Sequence, residues 1–216
     1  MNYTELVAAS KAYADRQDIE VDQNIDTFIL MAEARINRVL KTREQTSRIY
    51  APTVDEQEHY SLPPDYAGMR DIQINSALPN AEHTQTQLNY LNPEQFNIRR
   101  GQTYSGAAGN SNYYKNYYTI IANQIQIFPV LEGGKSIELV YYQKVPTLSL
   151  SNLTNWMSDG HPDIYLAGIT AEIEIFAKNY EVGKSWDDRM SRSIAELEKV
   201  DVAERWSGQP LVVRLG

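Results

Sequence analysis

The chain contains no cysteine among its 216 residues, so disulfide bonds and thiolate-ligated metal sites are excluded. No apolar run approaches the length of a membrane-spanning helix. The first residues, Asn2 to Glu5, are polar and lack the apolar core of a signal peptide. These absences predict a soluble protein that is made in a cytoplasm and has no membrane partner.

Residue patterns of catalytic sites are also missing. The three histidines, His59, His83 and His161, lie far apart in sequence and do not show the spacing of metal ligands. No serine lies in a Gly-x-Ser-x-Gly motif, and the segment from Gly106 to Gly109 lacks the lysine of a phosphate-binding loop. The sequence therefore predicts no catalytic residue, no metal site and no cofactor, and it indicates that the protein is not an enzyme.

Positive charge is in deficit, with 20 Lys and Arg against 28 Asp and Glu and a net charge of −8. This balance argues against a protein that grips nucleic acid by its phosphates. Ordinary acidic solubility explains the charge, and so does a negative wall past which DNA slides without binding. Phenylalanine is rare and tyrosine abundant, 4 against 15, which is typical of half-buried strands and wet interfaces.

Helical periodicity is confined to the two ends of the chain. At the N-terminal end it predicts helices over 4–15, capped by Thr4, and over 24–42, capped by Asn24 or Asp26. At the C-terminal end it predicts a helix over 162–181 that starts at Pro162 and ends before Gly183. A capping box at 185–188 then opens a helix over 185–200. The residues predicted to be buried are Phe28, Ile36, Ile169, Ile173 and Phe176.

The middle of the chain has the alternating pattern of β-strands. Segments at 117–121, 125–128 and 137–143 predict a three-stranded meander with turns at 123–124 and 133–134. The fold class is therefore α+β: a discontinuous four-helix bundle from both chain ends, a central β-rich insertion and an extended C-terminal arm. The predicted domains are 1–50 with 156–206, 51–155, and 207–216.

Three segments are candidates for contacts with other molecules. On the second helix, Glu33, Arg35, Arg38 and Arg43 are expected to project outward, either as a solvated face or as a face that docks an acidic neighbour. The loop over 101–116 is rich in Gly, Ser, Asn and Tyr and has no periodicity, which is typical of contact loops. The third segment is apolar and follows Gly208 and Pro210; it consists of Leu211, Val212, Val213, Arg214 and Leu215. This segment is either a strand that folds back on its own insertion or an arm that adds to a sheet edge of a partner.

Short phrases along the whole chain resemble the head-to-tail adaptor (connector) proteins of short-tailed bacteriophages. One phrase is Ala32-Glu33-Ala34-Arg35-Ile36-Asn37-Arg38-Val39-Leu40, and another is Leu62-Pro63-Pro64-Asp65-Tyr66, in which one proline is extra. The longest runs from Tyr141-Tyr142-Gln143-Lys144-Val145-Pro146-Thr147-Leu148 through Asn152 and Asn155-Trp156 to His161-Pro162-Asp163-Ile164-Tyr165-Leu166. Each phrase is short, and their order and spacing together carry the resemblance.

The resemblance implies a virion protein of the tail or neck, assembled in the host cytoplasm, that takes part in genome ejection. It implies a homo-oligomeric ring of twelve subunits beneath the portal, which extends the channel for double-stranded DNA and meets the tail nozzle or fibres. The residues expected to dock the portal or a neighbouring subunit are Arg35, Arg38, Arg43 and Leu211 to Leu215. Those expected to contact the tail are Tyr104, Tyr113 and Tyr114. The alternative is a tyrosine-rich module that binds carbohydrate or a surface.

Overall fold

The structure is a computed structural model that describes residues 1–76, 85–104 and 116–206. The chain forms two compact units, one from residues 1–45 together with residues from 144 onward, and one from 46–143. The class is α+β, as predicted, because helices from both chain ends pack together and the central segment forms two sheets. Across the three described ranges, no helix is both long enough and apolar enough to cross a membrane.

The helical unit contains five helices within its described residues. They are α1 (Tyr3–Tyr13), α2 (Ile19–Val39), α4 (Trp156–Gly160), α5 (Pro162–Phe176) and α6 (Tyr180–Trp206). Helix α5 lies at the centre and contacts α1, α2, α4 and α6. Pro162 occupies the first turn of α5, as predicted, and His161 is its N-cap residue.

The predicted starts of the first two helices were wrong. Helix α1 is capped by Asn2 and not by Thr4, because the Asn2 side chain accepts a hydrogen bond from the Glu5 N–H while the Glu5 carboxylate accepts one from the Asn2 N–H. Helix α2 begins at Ile19, with Asp18 as its N-cap, so Asn24 and Asp26 lie inside it. The early start is explained by Val21, which is buried in the core. Packing of Val21 thus extends the helix into residues 19–23, a mostly polar segment that precedes the predicted start.

The predicted break between the last two helices was misplaced. Helix α5 ends at Phe176, and Lys178 in the connection adopts a left-handed conformation with φ of 63°. Gly183 does not end a helix but lies inside α6, as does the predicted capping box at 185–188. A Cβ atom at position 183 would lie 2.9 Å from Cγ1 of Ile175, so glycine here allows α6 to pass close to α5.

The core of the helical unit contains four of the five residues predicted to be buried, namely Phe28, Ile36, Ile169 and Ile173. The prediction for Phe176 was wrong, since its side chain is 46% exposed and its ring lies at the edge of the core, 5.4 Å from the ring of Phe28. Phe176 continues the apolar stripe of α5 but is the last residue of that helix. The stripe therefore extends past the layer that buries it.

The β unit contains eight strands in the described residues. They are β1 (Thr46–Pro52), β2 (His59–Ser61), β3 (Tyr66–Ser76), β4 (Gln85–Gln87), β5 (Asn89–Tyr90), β6 (Tyr117–Ile121), β7 (Gln124–Phe128) and β8 (Lys135–Gln143). One sheet has the order β1-β8-β3-β4 and the other the order β2-β7-β6-β5. Helix α3 (Pro93–Tyr104) lies between β5 and β6 in the chain. The core of this unit includes Ile72, Ile127, Leu139 and Tyr141.

The predicted meander was half right. Strands β6 and β7 form the expected hairpin, with Ile121 opposite Gln124. The third segment, β8, instead lies in the other sheet, where it pairs antiparallel with both β1 and β3. Pro129 directly follows β7 and has no N–H to extend the ladder, and Gly134, with φ of 80°, redirects the chain before β8.

Candidate functional site

Two of the phrases that carry the family resemblance, the one at 32–40 and the later part of the longest one, meet inside the helical unit around Glu33 of α2. Its Oε1 atom accepts a hydrogen bond from the Leu148 N–H at 2.8 Å and another from the Tyr165 hydroxyl at 3.0 Å. The Tyr165 hydroxyl in turn accepts a hydrogen bond from Nδ2 of Asn155 at 2.8 Å. One carboxylate thus links α2, the loop after β8, and α5, although the three lie far apart in sequence.

Two asparagines complete this network. Asn37, one turn beyond Glu33 on α2, accepts a hydrogen bond from the Val145 N–H at 2.8 Å. Asn155 caps the short helix α4 by accepting from the Ser158 N–H at 2.8 Å, and its amide nitrogen also donates to the Pro146 carbonyl. These bonds satisfy backbone groups of a loop that lies outside the two sheets. These contacts fasten the loop after β8 to α2 and α4.

The expectation that Glu33 projects outward was wrong, because the residue is only 2% exposed. Burial raises the pKa of Glu33, and the hydrogen bonds from Leu148, Tyr165 and Thr147 oppose that rise. Burial and the adjacent Glu33 carboxylate likewise raise the pKa of Tyr165, so its hydroxyl keeps the proton that it donates. The network is a buried structural element and not a surface for a partner.

The three arginines predicted to dock a neighbour differ in their surroundings. Arg35 forms an ion pair with Asp187 of α6. Arg43 donates to Asp201 through its backbone N–H at 2.8 Å and through Nε at 3.0 Å, and it also pairs with Glu204. Arg38 is exposed, and its Nε donates to the Ala34 carbonyl one turn earlier, at 3.1 Å. Two of the three cations are thus already paired with acids of α6, and docking by this face remains a prediction.

The other predicted contact residues lie wholly or partly outside the described part of the structure. Residues Leu211 to Leu215, and likewise Tyr113 and Tyr114, lie outside the described residues. Tyr104 is the last residue of α3, and its side chain lies outside the described part. The roles assigned to these residues stay predictions.

The β unit also buries a carboxylate, which the sequence patterns did not reveal. Glu138 of β8 is 4% exposed and accepts hydrogen bonds at 2.8 Å from Nε2 of Gln73 and Nδ2 of Asn75, both on β3. Arg48 of β1 pairs with it at 3.1 Å. The two amides, together with Arg48, hold the pKa of Glu138 below its usual value even though burial acts in the opposite direction. Its position between Ile137 and Leu139 places it on the opposite face of the strand, so alternation alone carries no signal of its burial.

Three tyrosines of the β unit are used for packing. Tyr60, Tyr118 and Tyr141 are buried in its core. Burial raises the pKa of each of these hydroxyls. These rings are therefore not available as stacking platforms for a sugar, which removes part of the basis for the carbohydrate-binding alternative. Within the described residues, no group of three or more His, Asp or Glu is placed to hold a metal ion.

Comparison with family models places the chain among phage adaptor proteins, which are structural and not catalytic. The matching model describes the SU10 adaptor protein and covers residues 1–214, so the chain belongs to this family. The resemblance noted from the short phrases is thereby confirmed. A comparison with curated proteins found no match.

Proposed function

We propose that this protein forms a ring between the portal and the tail nozzle or fibres of a virion, and that the ring extends the channel through which DNA passes. The observation that carries the proposal is the family match, which spans both compact units of the chain. A ring of twelve subunits is what the resemblance to connector proteins implies. Binding of virion components is what membership of the family implies.

The three arginines proposed to dock a neighbour differ in whether their charge is already paired within their own subunit. Arg35 and Arg43 have acidic partners within their own subunit. Arg38 is exposed and uses its Nε for a contact within its own helix. Of the three arginines, Arg38 would therefore contribute most to binding an acidic neighbour. A lone exposed ion pair contributes little, so its share of the binding free energy should be small. The arm at 211–215 would supply the second contact, through main-chain hydrogen bonds to a sheet edge of the portal or of a neighbouring subunit.

Attachment to the portal tests this function directly. Purified protein is mixed with portal-bearing heads, and the occupancy of the portal vertex is measured by electron microscopy. We expect a ring at the vertex with the wild-type protein, and loss of stable attachment when residues 208–216 are deleted, while the deleted monomer stays folded. Arg38→Glu, with Arg38→Ala as its control, is expected to weaken attachment further than loss of the cation alone. Heads that remain bare with wild-type protein contradict the proposal.

The acidic charge leads to a separate expectation for DNA. A wall past which DNA slides should bind the duplex weakly, because phosphate gripping requires cations that release counterions. We expect the isolated protein to show no appreciable binding to duplex DNA in a fluorescence anisotropy titration at physiological ionic strength. Salt-sensitive affinity in the micromolar range would contradict a passive channel wall.

A further inference from the structure

Strand β1 leaves one edge of its sheet open. In the order β1-β8-β3-β4, β1 is the outer strand, and among the described strands it pairs only with β8. It is seven residues long, whereas the outer strands β4, β2 and β5 at the other three edges have three, three and two residues. A long open edge presents a row of backbone donors and acceptors that can template another strand. Among the described strands, β1 is therefore the edge best suited to receive one.

The phase of the β1–β8 ladder shows which backbone groups point away from the sheet. The Thr53 N–H donates to the Lys135 carbonyl at 2.8 Å, in register with the strand pairs that precede it. Orientation alternates along a strand, so residues 47, 49 and 51 bond to β8, and Arg48, Tyr50 and Pro52 face outward. Pro52 fits this assignment, since an outward position costs no ladder hydrogen bond. No backbone hydrogen bond to another described residue engages Arg48 or Tyr50 on this side.

The side chains of β1 also mark an unfinished margin of the core. Ile49 faces inward and is only partly buried against the core of the unit. Its neighbours on the next strand, Ile137 and Leu139, are buried. Tyr50 points to the opposite face and is 59% exposed. An added strand with apolar residues on one face would therefore cover Ile49 while its backbone pairs with β1.

We propose that this edge of β1 receives residues 211–215 of a second copy of the chain as an added strand. The segment alternates as the edge requires, with Leu211, Val213 and Leu215 on one face and Val212 and Arg214 on the other. It lies within the ten residues that follow the end of α6, beyond the helix-breaking Gly208 and Pro210. The inference rests on the proposed ring, because a ring places copies of the chain side by side. The edge of β1 would then be the surface that joins neighbouring copies.

Crosslinking tests the pairing without interference, since the chain has no cysteine of its own. Copies carrying Tyr50→Cys are mixed with size-tagged copies carrying either Arg214→Cys or Val212→Cys, and are oxidised with and without portal-bearing heads. Cα atoms of paired strands lie within the distance that a disulfide spans. We expect a band of one tagged and one untagged copy, which can form only between chains. A crosslink that appears only within one chain, in the Tyr50→Cys/Arg214→Cys double variant, would overturn the proposal because the arm then folds back on its own subunit.

A backbone variant tests the same edge by assembly. Tyr50→Pro removes one outward N–H and no hydrogen bond to β8, whereas Tyr50→Ala removes the side chain and keeps the N–H. With both variants shown to be folded by circular dichroism, we expect several-fold less ring on portal-bearing heads with Tyr50→Pro than with Tyr50→Ala. Equal occupancy together with no crosslink between chains would refute the edge pairing while leaving the adaptor function intact. If wild-type protein itself fails to join heads, the proposed function fails, and the crosslink in purified protein still decides the pairing.

Discussion

Glu33 of the helical unit and Glu138 of the β unit are both buried, and the pKa values of their carboxylates shift in opposite directions. Glu33 of the helical unit is held by a backbone N–H and a tyrosine hydroxyl, and burial dominates, so its pKa is raised. Glu138 of the β unit is held by two amide side chains and paired with Arg48, and these partners dominate, so its pKa is lowered. Burial alone therefore does not set the charge of a carboxylate; the number and charge of its donors decide it.

The two units should consequently respond to acid with opposite signs. Protonation of Glu33 relieves the cost of a buried charge, so the helical unit gains stability as the pH falls from neutral toward the ordinary glutamate value of 4.5. Glu138 contributes stability above its ordinary value, and this contribution is lost as the pH falls through its lowered pKa. The responses can be separated because all three tryptophans, Trp156, Trp186 and Trp206, belong to the helical unit.

The largest loss of stability is expected from a substitution that leaves a cavity in the core of the helical unit. Ile173 is fully buried in α5, so Ile173→Ala should lower the free energy of unfolding by about 2–5 kcal/mol. The control is Phe176→Ala on the same helix, which loses a tilted ring contact with Phe28 and a half-exposed ring, and should cost less, about 1–3 kcal/mol. Urea titration followed by tryptophan fluorescence measures both. A Phe176→Ala variant as unstable as Ile173→Ala would show that the Phe176 side chain is buried after all.

A smaller effect is expected when the charge of Glu138 is removed. Glu138→Gln keeps the size of the side chain but weakens the bonds from Gln73 and Asn75 and leaves Arg48 without its anion. The loss should be about 1–3 kcal/mol at neutral pH, and it should shrink as the pH falls and the wild-type carboxylate is protonated. Circular dichroism, which also reports strands, measures the transition. An unchanged transition at neutral pH would contradict a stabilising role for this charge.

Periodicity predicted the helices better than the sheets, and the reason is physical. A helix is defined by spacing within one segment, and the stripes containing Phe28, Ile36, Ile169 and Ile173 were long enough to show it. A strand shows only that one face is buried, and the alternation of β8 is the same in either sheet. The sequence therefore located the strand at 137–143 but assigned it the wrong partners.

Glu33 shows how much of the candidate site was predictable. Glu33 lies four residues after Ile29 and three before Ile36, so helical spacing alone placed it on the buried face. The expectation that Glu33 projects outward followed from its charge, and its position on the helix was the better guide to its burial. Its partners, Leu148 and Tyr165, could not be found in this way, because they reach it from segments more than a hundred residues away. The phrases that revealed the family contain all three residues without revealing that they touch.

The smallest effect tests the comparison most sharply. Glu33→Gln keeps an oxygen that can accept from Leu148 and Tyr165 and removes the buried charge. The new amide nitrogen replaces Oε2, which has no hydrogen-bond partner among the described residues. At neutral pH we expect the free energy of unfolding of the helical unit to change by less than about 1 kcal/mol, and the change to be an increase.

The pH dependence distinguishes this outcome from a merely tolerated substitution. Tryptophan fluorescence should show the wild-type helical unit gaining stability between neutral pH and the ordinary glutamate value. Glu33→Gln should reduce that gain and leave the part contributed by Glu172, whose pKa burial also raises. Tyr165→Phe is the matched control, because it removes one donor to the carboxylate and should enlarge the gain. A Glu33→Gln variant that loses stability at neutral pH and keeps the wild-type pH dependence would mean that the negative charge of Glu33 is stabilising, and the contrast with Glu138 would disappear.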